Sequence, residues 1–406
     1  MELLSIAKLA LYGIFLNYYC YYTLTGSFIP YGTILFFGAA FGCVLLSALK
    51  DRYVYVDKEI KYWVLYTVLS LLTMIFAMNF DYALDSLSKY VQRLMIIIMI
   101  VYICEKENSI KFALRLLAID ALGCAISVLY TVDDIQAKLS ISSGANLSAN
   151  DVGALMAFGC FAVLFAFGNR KRPTFALMVF RFASVIALLS VIFLAGSRKS
   201  IYAVVIMVAL LVLLCGRDYL ETTTLGRVFM VIILGLIAFE FVNQYLTPHM
   251  EGTNLYVRMF GRGVDRAASS DEGRWELYVL AIEEFIKHPF VGIGFNNFTL
   301  EHGNYTHSTY VEPLACSGMI GFFYLAPYVR MLKRQIELIK LTAMDKLECI
   351  KQKELLAFYM SFLFIGIGIP YMYKDNPCII LALFIASQHI SYKKIYEKME
   401  SRKGLK

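Results

Sequence analysis

From Arg274 to Gly321 the chain reads RWELYVLAIEEFIKHPFVGIGFNNFTLEHGNYTHSTYVEPLACSGMIG. It opens amphipathic: Trp275, Tyr278, Val279, Ile282, Phe285 and Ile286 recur at helical spacing, with Glu276, Glu283 and Lys287 on the other face. Pro289 ends that helix, because proline lacks the amide that the next turn needs. A tight GIG turn at Gly292–Gly294 follows, then Asn296 and Asn297, then a polar strip with His302 and His307. From His307 the residues turn apolar, and a membrane span is expected over His307–Leu332. This is the longest soluble-looking part of the chain, and it runs straight back into the bilayer.

Outward from this stretch the chain is apolar almost throughout. Its 406 residues are 59% hydrophobic and 17% charged, with a mean hydropathy of +0.63. That describes a polytopic membrane protein and excludes a soluble domain. A spanning helix needs about 20 apolar residues, and about twelve runs qualify. They are Leu3–Tyr22, Phe28–Leu49, Ile60–Phe80, Leu84–Cys104, Ser109–Tyr130, Asp151–Gly168, Phe175–Ala195, Ser200–Cys215, Val228–Leu246, His307–Leu332, Leu355–Tyr373 and Pro377–Tyr392. The expected fold is an all-α polytopic membrane protein. A single transmembrane domain covers 1–406, with one long extracytoplasmic loop, 247–306, carrying short amphipathic helices. The first run lacks a small-residue cleavage site and ends in Tyr18-Tyr19-Cys20-Tyr21-Tyr22, so it reads as a retained helix rather than a signal peptide.

The net charge of +7 is not spread evenly. Lys50, Arg52, Lys58 and Lys61 form one cluster, and Arg170, Lys171 and Arg172 another. Arg330, Lys333, Arg334 and Lys340 begin a third, and Lys393, Lys394, Lys398, Arg402, Lys403 and Lys406 close the chain. With twelve spans all of these fall on one side with both termini, and the positive-inside rule makes that side cytoplasmic. The 247–306 loop, 131–150 and the short turn at Arg198 then lie outside. Charge sorted this way reports topology, so no nucleic-acid partner is expected. The nine cysteines contain no CxxC pair and avoid the long loop, which indicates neither a disulfide framework nor a zinc site. His249, His288 and His302 show no ligand spacing, so neither metal nor cofactor is expected. The GIGFNN turn lacks the flanking strand and third glycine of a nucleotide loop.

Arg274, His288-Pro289-Phe290, Gly292, Gly294, Asn297-Phe298, His307, Gly318 and Gly321 together resemble the core motif of the O-antigen ligase and repeat-unit polymerase family. Its members join lipid-carried glycans. The family usually has Asn after the histidine; this chain has Ser308. The resemblance implies a GT-C-like helical fold in the bacterial inner membrane, with the active site facing the periplasm or cell exterior. It implies an undecaprenyl-diphosphate-linked oligosaccharide donor and a glycan acceptor. A flippase and a chain-length regulator would be working partners. The acceptor would be the non-reducing end of a second lipid-linked repeat in a polymerase, or a lipid A–core sugar in a ligase. The compact chain, with no module for a large acceptor, favours a polymerase of O-antigen or capsular polysaccharide. A flippase for the same lipid-linked glycan also fits twelve spans, but the chain lacks the internal repeat and midplane polar groups of transporters.

Three groups meet the expected outer surface where the family motif marks them: Arg198 between two spans, Arg274, and His307. A leaving diphosphate needs fixed cations where its charge develops, and the arginine fork grips phosphate oxygens while staying ionised. A sugar hydroxyl benefits from a base of near-neutral pKa, which histidine supplies. These three are the expected catalytic residues. The structural alternatives are lipid-headgroup binding or capping for Arg198 and Lys199, and an interfacial polar role for His307. Substrate contacts are expected from Lys199, Asn297 and Tyr310, and from Arg258, Arg262 and Arg266, which recur every four residues. Gly261 and Gly263 weaken a helix there, and Asp265 and Asp271 offer local pairs instead. Glu312, placed just inside the span, would orient the histidine, contact sugar or make a structural hydrogen bond. Arg93, Asp120 and Glu240 are expected to pair within the bundle. Asn146 and Asn150 resemble the family's entry to a middle span, and Asn150 also suits a helix cap.

Overall fold

The computed structural model describes residues 2–17, 29, 31–52, 56–131, 149–167, 174–222 and 263–403, with the backbone alone for a few residues at helix ends and for 263–272. The described residues are helical: α1 (Glu2–Leu16), α2 (Gly32–Asp51), α3 (Lys58–Thr73), α4 (Phe80–Lys106), α5 (Lys111–Thr131), α6 (Ala149–Ala166), α7 (Phe175–Leu194), α8 (Arg198–Thr222), α9 (Gly263–Lys287), α10 (Phe298–His302), α11 (Glu312–Ser317), α12 (Gly321–Leu341), α13 (Lys346–Gly366) and α14 (Asn376–Lys403). Among them seven are long and apolar enough to cross a membrane: α2, α3 with the short 3₁₀ turn after it, α4, α5, α7, α8 and α14. α6 is apolar and shorter. The expected span Val228–Leu246, and with it Glu240, lies outside the described residues.

α14 forms the centre. Cys378 to Ala386 are all buried, packed by α4, α5 and α12. The polar residues that follow meet partners rather than lipid. Gln388 donates to the Met331 carbonyl at 2.8 Å, Gln335 to Gln352 at 2.8 Å, and Gln352 to Ser391 at 2.9 Å. Such side-chain bonds hold helices together where burial of apolar surface gives no preference for protein over lipid. The opposite pattern marks the periphery: Ile34, Leu35 and Leu213 are exposed apolar side chains on α2 and α8, as lipid contact requires.

The two ends of the bundle sort by chemistry. One end is basic. Arg334 there grips Asp57 and Glu59 at 2.9 Å, Lys106 pairs with Asp51 at 2.8 Å, and Lys353 with Asp218 at 2.6 Å. The other end collects the polar stretch before α12. Asn297 accepts from the Asn79 amide at 3.0 Å, and Asn296 donates to Ser86 at 2.8 Å.

Three boundaries differ from the expectation. The span drawn from His307 is interrupted. Pro313 opens the six-residue α11, Gly318 breaks it with φ +56°, and the long helix α12 starts only at Gly321. The apolar run there measures burial inside protein, not one continuous helix. α13 ends at Gly366, before Tyr373, because Gly366, Gly368 and Pro370 stop it. The amphipathic helix begins at Gly263, so Arg274 lies inside it instead of opening it. Its apolar residues also divide. Ala281 is buried in a small second core with Ile293, Phe298, Ala315 and Cys316, while Trp275, Ile282 and Ile286 stay exposed. An exposed stripe of that kind suits a helix lying on a membrane surface.

Candidate active site

The glycines of the motif build the platform. Ile293 donates to the Ala315 carbonyl at 3.2 Å, Gly294 to Cys316 at 3.0 Å and Met319 to Pro289 at 2.7 Å. Two turns, Pro289–Gly294 and Ala315–Met319, therefore interlock backbone to backbone. A Cβ on Gly292 would stand 2.4 Å from the Cys316 carbonyl carbon, and one on Gly318 would stand 2.6 Å from the Pro289 oxygen. Both residues have positive φ, +67° and +56°. Only glycine meets both conditions without strain.

The turn carrying His307 is braced from below. Thr306 N donates to Glu312 Oε2 at 2.7 Å, and the Tyr373 hydroxyl donates to Glu312 Oε1 at 3.1 Å. Thr309 N donates to the Gly366 carbonyl at 2.8 Å, and its Oγ1 accepts from Tyr371 N at 3.0 Å. His307 itself has φ +58°, an uncommon conformation for a residue with a side chain. Its surroundings over-determine that conformation, a pattern found where geometry serves function. Its ring packs on Tyr305 with centroids 4.2 Å apart.

Cations reach His307 from three other elements. Arg274 lies one turn before Tyr278 on the same face of α9, and the Tyr278 hydroxyl donates to the Ile367 carbonyl. That bond ties this part of α9 to the loop after α13. Lys199, in the first turn of α8, lies across Gly368 in the same loop, where an added Cβ would come within 1.8 Å of its Nζ. Lys374, just before α14, pairs with Asp151 of α6 at 2.7 Å and stands 6.0 Å from the Tyr305 ring. Burial first, then the charges of Arg274, Lys199 and Lys374, push His307 down from 6.5 to about 4. It is therefore neutral at pH 7, with a lone pair able to take a proton.

The remaining expected residues sort differently. Arg198 stands exposed at the first residue of α8, and it is its neighbour Lys199 whose charge acts on His307. Ser197 beside it contacts Asn150 at 3.4 Å and Ser200 at 2.7 Å, tying α6 to α8. Asn297 is buried, with its amide spent on Asn79 and on the Phe295 carbonyl. The Tyr310 hydroxyl donates to Leu363 at 2.6 Å, and Glu312 is fully buried under the histidine turn. Asn297 and Glu312 are buried and Tyr310 is half-buried, and each makes hydrogen bonds inside the protein. Arg258 and Arg262 lie outside the described residues, and Arg266 is described by its backbone alone, in α9. Arg93 pairs with Asp375 at 2.7 Å, while Asp120 is buried with neither oxygen hydrogen-bonded among the described residues. Sequence spacing also missed that Glu284, Glu301 and His302 bring donor atoms within 4.8 Å of one another. Lys287 already neutralises Glu284 there, at 2.9 Å.

The sequence reading gave no site role to Lys374, Asp151, Tyr278 or Gly368. Lys374 left one signal, as a lysine on the side that the charge rule leaves poor in lysine.

Fold and site together define a multi-pass helical membrane protein with a cationic, histidine-bearing site at one end of its bundle. Residues 182–326 match the family model described as O-antigen ligase, which establishes for that region the resemblance read between Arg274 and Gly321. Members of that family are glycosyltransferase-like enzymes acting on lipid-linked glycans. The matched region contains Lys199, Arg274 and His307; Asp151, Gly368 and Lys374 lie beyond it. No curated protein matches the chain.

Proposed function

We propose that the protein is an inner-membrane polymerase that extends undecaprenyl-diphosphate-linked repeat units at the outer surface. The observation that carries this reading is the convergence of Arg274, Lys199 and Lys374 on a neutral His307. The basic end of the bundle goes to the cytoplasm by the positive-inside rule, so the site end faces out. The acceptor hydroxyl oxygen attacks the anomeric carbon as the bond from that carbon to the diphosphate breaks. The hydroxyl proton passes to His307. The bonding electrons leave on the diphosphate, held by Arg274 and Lys199, with Arg198 at the rim. An imidazole near 4 is a weak base, but an arriving diphosphate offsets the cations that depress it, so donor binding raises its basicity. Direct attack inverts the anomeric centre. Side chains supply the positive charge, so transfer is expected to run in chelator.

The family description favours ligation to lipid A–core as a second reading. Both reactions share the donor half of the site and differ in the acceptor. Gels of surface glycan and of extracted lipid-linked glycan separate them. With Arg274→Ala, polymerase loss leaves glycans at one repeat, whereas a full ladder on the carrier with none on lipid A–core identifies a ligase. Normal ladders on both would overturn the enzyme reading.

A further inference from the structure

We infer that Lys374 is a third diphosphate-binding cation, held by Asp151 until the ligand arrives and then handed to it. This rests on the reading of the site as a diphosphate-glycan transferase. It concerns an element outside the family match, since α14 and the loop before it follow the matched region. Three observations support it.

The first is position. Lys374 Nζ lies 2.7 Å from Asp151 Oδ2 and 6.0 Å from the Tyr305 ring, which packs on His307 at 4.2 Å. A ligand phosphate placed beside His307 is thus one lysine swing away. The second is charge. Arg274, Lys199 and Lys374 all act on His307, while Asp151 is the carboxylate that the third of them pairs with. An anion entering this field competes with Asp151 for the ammonium.

The third is what each partner does when the pair opens. Lys374 is 23% exposed on a flexible four-carbon stem, so it can reorient. Asp151 is 7% exposed, and a buried carboxylate stripped of its partner is normally costly. Here it lies in the first turn of the 18-residue α6, where helix amides and the helix dipole favour negative charge. The helix end offsets part of the cost of the exchange. A permanent structural pair would need none of these features on the site wall.

The two roles differ in sign. If Asp151 merely positions Lys374, removing the carboxylate weakens anion binding; if it competes, removal strengthens it. The test uses the full-length protein in phosphatidylcholine nanodiscs, titrated with farnesyl diphosphate and, separately, with inorganic diphosphate. A repeat in phosphatidylglycerol nanodiscs asks whether lipid headgroups occupy the same cations. Lys374→Gln should weaken farnesyl diphosphate binding about tenfold, and Lys374→Arg should restore it. Asp151→Asn should tighten binding about three- to tenfold. If Asp151→Asn lowers the melting temperature, Asp151→Ser replaces it, and the account requires the same tightening. Inorganic diphosphate should follow the same order, because the phosphates carry the effect. Weakening only in phosphatidylglycerol would assign Lys374 to lipid headgroups and overturn the inference. So would weaker binding by a stably folded Asp151→Asn. Loss of binding in Arg274→Gln with none in Lys374→Gln overturns this inference and leaves the transferase reading standing. No binding by the wild type in any arm would remove both.

Discussion

Gly368→Ala probes the site without removing any charged group. The added Cβ would lie 1.8 Å from Lys199 Nζ and 2.6 Å from its Cδ and Cε. Ordinary contact needs about 3.5 Å, so the ammonium must retreat by roughly 1.5 Å or more. The three nearest atoms all belong to the far end of one flexible side chain, and the Gly368 N to Ile365 O bond of 2.9 Å is untouched. Alanine also lowers the entropy of the unfolded chain, so stability should change by no more than about 0.5–1 kcal/mol. Function should change more, because misplacing a fixed group by about 1 Å can cost up to about 10²-fold. We expect transfer from lipid-diphosphate donor to fall about 10- to 100-fold with the melting temperature nearly constant. In a Lys199→Ala background the same substitution should have no further effect, since the group it displaces is gone. Wild-type transfer by Gly368→Ala would refute the placement of Lys199 in the site, and a collapse of the melting temperature would refute the packing argument.

Two further outcomes follow from the same geometry. His307 should titrate near 4 by NMR of histidine-labelled protein, well below an ordinary imidazole. Arg274 is one of four causes, with burial the largest, so Arg274→Gln should raise the value only part of the way to 6.5. A depressed histidine pKa means the neutral, working form is retained down to low pH, and transfer is lost as pH falls through the value in the donor complex, which lies higher. A wild-type His307 titrating at 6.5 would contradict the site's electrostatics. For topology, a cysteine at Ser269 in α9 should react with an impermeant thiol reagent in cells with a permeable outer membrane, while one at Lys346 should not; the reverse result would turn the molecule over.

The sequence disclosed the parts of this protein that rest on periodicity and charge. Runs of apolar residues marked the bundle, and the lysine clusters marked one of its ends. Arg274 and His307 were legible because a motif carried them. The roles of Asn297, Tyr310 and Glu312 were not. Their residue types suit sugar contact as well as bracing, and their bonds to Asn79, Leu363 and Thr306 emerge only in the fold. The interruption between His307 and Gly321 was hidden because residues buried in a protein lobe are as apolar as residues buried in lipid. Lys374 and Asp151 were hidden for another reason: 223 positions separate them, and nothing in local sequence reports a pair made across the bundle. Arg198 and Lys199 show the limit of a motif read one residue at a time, since adjacent positions on a helix point about 100° apart and one of them alone lies across Gly368.

The central claim is that His307 accepts the acceptor proton in a direct displacement on a lipid diphosphate. It is tested most directly with purified protein and a defined lipid-diphosphate-linked repeat unit, following the new glycosidic bond by NMR for wild type and His307→Ala. The account predicts an inverted anomeric configuration and a rate about 10²- to 10⁴-fold lower in the variant. Retained configuration, or wild-type rate without the imidazole, would contradict it.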